Sequence, residues 1–139
     1  MIPVILSIKG RQAYADQEPD SIELVTEGIL DFRDGGWDLQ YEESALTGLE
    51  GVTTTFRIEK DRIILDRTGK LRSRMVFKEG VKHESLYEME FGALMLTVCA
   101  ERIFAQISPA GGTLDLIYSI QVEQDAAGQI DYHLDIQVK

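Results

Sequence analysis

Glu43 and Arg67 are the residues of this sequence whose type and position come nearest to chemistry. Glu43 shares the phase of an alternating run with Trp37, Leu39 and Tyr41, and Arg67 shares that of Ile63 and Leu65. In a strand, every second side chain faces the same way, so both charges are predicted to point inward with apolar neighbours. An isolated charge in such a place costs several kcal/mol even after relaxation, so each needs a partner. The economical arrangement is that they meet, with Thr54, Tyr41 or Tyr87 hydrogen-bonding nearby. The chemistry this offers is recognition, because the planar fork of Arg67 suits a ligand carboxylate or phosphate. The competing arrangement puts both residues at strand ends where charges reach water; Arg67 adjoins the turn Thr68-Gly69-Lys70.

Other chemistry-bearing residues form weaker patterns. His133 lies between Asp131 and Asp135 at a spacing of two, which lines one strand face and could make a weak metal site. The same pattern describes a plain solvated strand, and structural zinc usually takes four ligands. His83 falls at a strand start after Lys82. Cys99, in Leu96-Thr97-Val98-Cys99-Ala100, reads as a small buried hydrophobe with no adjacent base to make it a nucleophile. Glu42-Glu43 and Glu88-Met89-Glu90 resemble a glycosidase carboxylate pair only superficially, since adjacent strand residues face opposite ways. Gly48 and Gly51 lack the strand, glycine loop and helix order of a phosphate cradle and read as turn glycines. No catalytic residue, metal site or cofactor is assigned, and the balance is against an enzyme.

The elements that must position these residues are strands. From Trp37 to Val138, alternating runs are broken by turn signals at about every tenth residue, the signature of an antiparallel meander. Ile2 to Ile8 reads as a short strand buried on both faces, followed by a polar connection from Asp16 to Ser21. Ile22, Leu24, Thr26, Gly28, Leu30 and Phe32 then share one face, and Asp34-Gly35-Gly36 supplies the positive φ of a tight hairpin. Val52, Thr54, Phe56 and Ile58 follow on one face, Lys60-Asp61 turns the chain into Ile63, and Leu71, Ser73, Met75 and Phe77 continue the inward set. Leu86, Met89, Ala93 and Leu96 also fit a helical stripe. Gly92 in mid-segment and the inward alternation of Ser85, Tyr87, Met89 and Phe91 favour two strands hinged at Gly92 instead. Leu114 to Val122 and Ile130 to Val138 complete the set, with a turn at Ala127-Gly128. About ten strands result, a number that twisted antiparallel sheets usually handle by closing on themselves.

Composition narrows the partners. The chain has 139 residues, 44% hydrophobic and 27% charged, the balance of one folded domain over residues 1–139. A net charge of −10 opposes binding to a phosphate backbone, so nucleic acid is not expected. The basic cluster Arg62, Arg67, Lys70, Arg72, Arg74, Lys78 and Lys82 reads as the solvated face of two strands rather than an anion surface. The apolar runs are too short for a membrane helix, and one cysteine with no secretory leader suggests a cytoplasmic location.

The series Gln40-Tyr41-Glu42-Glu43, Thr47-Gly48-Leu49-Glu50-Gly51, Thr53-Thr54-Thr55, Arg67-Thr68-Gly69 and Met75-Val76-Phe77 resembles the YwiB-like family of bacterial proteins, catalogued as domain of unknown function 1934. Tyr87, Phe91-Gly92 and Leu116-Ile117-Tyr118 continue the likeness. The resemblance covers the chain from Ile5 onward and implies an all-β fold, a closed antiparallel meander barrel of calycin or lipocalin type. It brings no activity or catalytic residue with it. The function expected is non-catalytic binding of a small, partly apolar or anionic ligand inside the barrel, with Tyr41, Glu43, Thr54, Arg67 and Tyr87 as its candidate contacts. The alternative is an interaction or structural module, possible as a homodimer, whose barrel is filled by Trp37, Tyr41, Phe56, Met75, Phe77, Tyr87 and Tyr118. An interior volume of about 300 Å³ or more with convergent polar groups separates the first from the second.

Overall fold

A computed structural model describes residues 1–14, 18–123 and 125–139. Ten strands carry almost all of them: β1 (Ile2–Tyr14), β2 (Asp20–Arg33), β3 (Gly36–Glu42), β4 (Val52–Ile58), β5 (Ile63–Gly69), β6 (Ser73–Phe77), β7 (Lys82–Met89), β8 (Gly92–Ser108), β9 (Gly111–Val122) and β10 (Asp125–Val138). Their hydrogen-bonded order is β6-β5-β4-β3-β2-β1-β10-β9-β8-β7. Every step but β1 to β10 joins strands consecutive in the chain, and the result is a nearly closed antiparallel barrel. Turn chemistry enforces this where it can be read: Asp34 and Gly35 have φ of 51° and 78°, the left-handed pair that a two-residue hairpin needs.

The barrel closes at a seam between β6 and β7. Arg72 and Glu88 exchange two backbone hydrogen bonds, at 2.9 and 2.8 Å. Further along, side chains take over: Ser85 Oγ donates to the Arg74 carbonyl at 2.6 Å, and the Val76 N–H points to His83 Nδ1 at 3.5 Å. Gly80 N–H then reaches across to the Ala100 carbonyl at 2.9 Å. Polar side chains thus satisfy backbone groups that a regular ladder would have paired.

The core is the inward phase of these strands. Leu6, Leu30, Leu39, Phe56, Leu65 and Phe77 are among its fully buried members, and each such side chain stabilises the fold by roughly 1.5–3 kcal/mol relative to exposure. Four expectations change. β1 is a 13-residue strand buried on one face only, with Val4, Leu6 and Ile8 inside and Ile5 outside, because a barrel has a single interior. Phe32 is largely exposed at the end of β2 and packs on Trp37, ring centroids 4.9 Å apart. The β7–β8 pair is indeed two strands, with Gly92 at φ 143° opening the second, but Met89 and Phe91 are not inside. β8 meets β9 only from Leu96 onward and β7 meets the β6 side only up to Glu88, so the hairpin tip overhangs the barrel and Phe91 is 95% exposed. Finally, the turn expected at Ala127-Gly128 comes earlier, at Glu123 with φ 51°, and Gly128 belongs to β10 beside a bulge. Of the expected connection from Asp16 to Ser21, Asp16 and Gln17 lie outside the described residues, while Asp20 and Ser21 already pair with β1.

Candidate binding cavity

One end of the barrel is hollow. A cavity of about 540 Å³ opens where β1, β3, β5, β7 and β9 end and β2, β8 and β10 begin. Its walls are apolar, including Ile22, Leu24, Leu96, Ile120 and Ile130. Leu46 and Leu49 reach it from the segment between β3 and β4. There Ser44 Oγ accepts from the Leu46 N–H and Gly48, at φ 75°, ends a single helical turn. Both glycines of that segment, Gly48 and Gly51, have positive φ and serve as turn residues, as their context indicated.

Inward parity brings four of the five candidate residues to this cavity: Tyr41, Glu43, Arg67 and Tyr87 all line it. Thr54 stands behind, fully buried, and its Oγ1 donates to Glu43 Oε2 at 2.5 Å. The Tyr41 hydroxyl, two residues along the same strand face, lies close enough to Glu43 to feel its charge. Arg67 Nε lies 3.9 Å from the same Glu43 oxygen, and the two side chains are only 10% and 2% exposed. The charges therefore face each other inside the barrel, not at a solvated rim. Desolvation works against the charged form of Arg67, yet the oxygens of Tyr132, Tyr118 and Glu43 outweigh it and hold the guanidinium protonated. Burial raises the Tyr41 phenol well above its ordinary value, and neighbouring Glu43 raises it further. Tyr87 is raised chiefly by burial. Around this centre stand hydrogen-bonding groups that stay neutral and one buried ion pair.

Tyr132 and Tyr118 belong to the same floor and were not among the candidates. Their rings stack at 6.4 Å, and Tyr118 packs on Phe77 at 4.5 Å, joining the cavity to the solid core beneath. A trace of Tyr132 was present in the sequence. Gly10 pairs with Tyr132 in register, and a Cβ on Gly10 would stand 3.3 Å from the tyrosine ring. A glycine inside a strand often marks such a close approach.

The remaining chemistry-bearing residues lie elsewhere. His133 faces outward, with Nδ1 2.5 Å from Asp115 and Nε2 3.2 Å from Asp135. The hydrogen bond to Asp115 raises its pKa, and Asp131 takes no part in that arrangement. Among the described residues, no cluster of three or more His, Cys, Asp or Glu could hold a metal ion. Cys99 is half-buried, not fully buried, because it alternates outward between buried Val98 and Ala100. Glu42 bonds Thr53 on the outer surface while Glu43 points inside, as adjacent strand residues must. Part of the basic cluster is engaged in outer-surface ion pairs: Arg74 with Asp66 at 2.8 Å, Arg62 with Glu59 at 2.6 Å, Lys78 with Asp61 at 3.9 Å. A larger outer groove of about 860 Å³ is crossed by such pairs, including Arg33 with Asp38 at 2.7 Å and Arg74 with Asp66 at 2.8 Å.

Fold and cavity together define an all-β barrel, open at one end. The model of the family described as domain of unknown function DUF1934 matches residues 6–136, and the chain belongs to that family. No curated protein matches the sequence significantly. The crystal structure of the ywiB protein from Bacillus subtilis is similar throughout, with a TM-score of 0.82 at 20% identity, covering 96% of this chain and 91% of that one. At that identity the likeness speaks for the fold. No helix among the described residues is long and apolar enough to cross a membrane.

Proposed function

We propose that this protein is a non-catalytic container for a small, partly apolar ligand, held in the barrel with Arg67 as its polar anchor. The observation that carries the reading is the 540 Å³ cavity, whose apolar walls converge on a buried guanidinium with an unpaired Nε. Volumes of about 300–1,000 Å³ with a few convergent polar groups are typical of small-molecule sites. Tyr41, Glu43 and Tyr87 share that floor and Thr54 fixes Glu43 from behind, so these five residues are the proposed contacts and their support. A net charge of −10 argues against nucleic acid and anionic membrane partners, and the lone cysteine suits a reducing cytoplasm. Titration with the neutral dye N-phenyl-1-naphthylamine tests the reading: fluorescence should rise to a one-to-one plateau, and Leu24→Trp, which fills the cavity, should abolish it. A flat titration of folded protein overturns it. Native mass spectrometry of protein from its own host adds the retained ligand's mass.

A second reading rests on a different observation. The overhanging β7–β8 tip exposes Phe91 beside partly exposed Met89 and Leu94, an apolar prominence of the kind that supports a partner or homodimer contact. Concentration-dependent mass by light scattering, lost in Phe91→Ser, is its expected signature.

A further inference from the structure

We infer that the ligand is a single-chain amphiphile bound head first, its hydrogen-bonding head on the Arg67 floor and its apolar chain leaving by the mouth along the β7–β8 overhang. The inference rests on the container reading and names the ligand class. The cavity's polarity runs against its depth. Tyr41, Glu43 and Arg67 are polar lining residues that are buried, whereas Leu46 and Leu94 are lining residues that are exposed. Contact with water favours the reverse order, charges at the mouth and leucines within. Asp20 and Ser21, at the start of β2, are the exposed polar part of the lining. The apolar exit therefore lies where the β3–β4 connection and the β7–β8 tip stand.

Both leucines are set at the mouth by their backbones. Ser44 Oγ accepts from the Leu46 N–H at 3.3 Å, and the Gly48 N–H returns to the Ala45 carbonyl at 3.1 Å. That single helical turn holds Leu46 at the cavity with its side chain 74% exposed. Leu94 stands two residues before Leu96 on β8 and shares its inward phase, and on β7 Met89 shares that of Tyr87. The pairing of β8 with β9 begins at Leu96, and that of β7 with the β6 side ends at Glu88. Beyond those points the inward face of the hairpin runs on as an apolar ramp, from Leu96 and Tyr87 in the cavity wall to the partly exposed Leu94 and Met89. An alkyl chain on that ramp takes apolar surface of both out of water. At the other end, Arg67 Nε is buried without a hydrogen-bond partner and can only donate, so the head brings an acceptor oxygen.

Bromine quenches tryptophan at contact and so reports which end of a bound chain reaches the mouth. In Leu46→Trp protein, 11-bromo-1-undecanol should remove most of the added emission, and 2-bromo-1-undecanol, with its bromine beside the hydroxyl, little of it. Both alcohols should displace N-phenyl-1-naphthylamine from the unaltered protein and leave the emission of Trp37, at the far end of the barrel, unchanged. Changing Met89→Ser and Leu94→Ser together should weaken displacement by 1-undecanol about fivefold and leave 1-hexanol unaffected, since only the longer chain lies on the ramp. Equal quenching by the two bromides, or stronger quenching by the 2-bromo alcohol, overturns the orientation. An unchanged dependence on chain length in the double serine variant overturns it too, and marks the overhang as a partner's surface. If the dye binds and no alcohol displaces it, the amphiphile falls and the container stands. If the dye itself does not bind, both fall.

Discussion

The two ends of this barrel are built from the same alternation and differ in the chemistry of what points inward. Toward the Asp34-Gly35 hairpin, Phe77, Ile63, Leu114 and Ile136 belong to one buried apolar cluster, and the depression of about 730 Å³ at that mouth, lined by Trp37, Ile58, Ile103 and Ile107 among others, has, among the described residues, no buried charged residue in its lining. Toward the Tyr41 end, the inward positions carry Tyr41, Glu43, Arg67, Tyr87 and Tyr132, and the axis is hollow. Strand periodicity sets which way a side chain points, whereas the chemistry of its tip sets whether opposite walls can collapse together. Alkyl and aryl groups interdigitate. Hydroxyls, a carboxylate and a guanidinium instead hold one another at hydrogen-bonding or ion-pairing distance, and the space between them persists.

The contrast can be broken from either side. The largest effect is expected in the apolar half: Phe77→Ala should cost about 3–5 kcal/mol in urea unfolding, because it empties the contact with Tyr118. A loss below about 1 kcal/mol would show that half to be loosely packed. Next comes the ion pair at the cavity floor. Glu43→Ala leaves a buried guanidinium without its counter-charge and should cost about 3 kcal/mol, while the double change Glu43→Leu with Arg67→Met should recover most of it. A double variant as unstable as the single one would mean that the pair stabilises outright. In the hollow half, Leu24→Ala removes a partly buried wall residue and should cost only about 1 kcal/mol, an ordering that the same urea series checks.

The smallest effect lies outside both halves. His133 gains Asp115 as its main partner and has a raised folded pKa. Its contribution to stability is therefore complete below the unfolded value of about 6.5 and fades as pH rises through the higher folded value. The melting temperature should drift down across that window, and His133→Gln should flatten the drift. Because the imidazole is exposed and screened by solvent, the drift should be slight. A melting temperature that climbs over the same interval would reverse the assignment.

Much of the cavity was legible because parity is a local property. Glu43 and Arg67 could be placed inward from their immediate neighbours, and the hairpin at Asp34-Gly35 needed only its own two residues. Burial is a property of what lies alongside. Met89 and Phe91 have inward parity, yet no strand extends far enough to face them, and the relative lengths of β6, β7 and β9 are not written in the segment itself. Ile5 sits in an apolar run and faces outward because β1 lies between β2 and β10 in a single-walled barrel. Tyr132 approaches Arg67 across the interior from strands far apart in sequence, a proximity that only closure of the barrel creates.

The seam between β6 and β7 bears on how this molecule behaves in a crowded solution. An open ten-stranded sheet has two outer strands, and a free outer strand is a template on which neighbouring chains can assemble into aggregates. Here each outer strand serves as the other's cover: Ser85 and His83 occupy the carbonyl and amide of β6 that an intruding backbone would use, and Arg72 with Glu88 fastens the end nearest the cavity. Protection against self-association thus depends on a few polar side chains rather than on a full ladder, and changes at Ser85 should be read first in solubility.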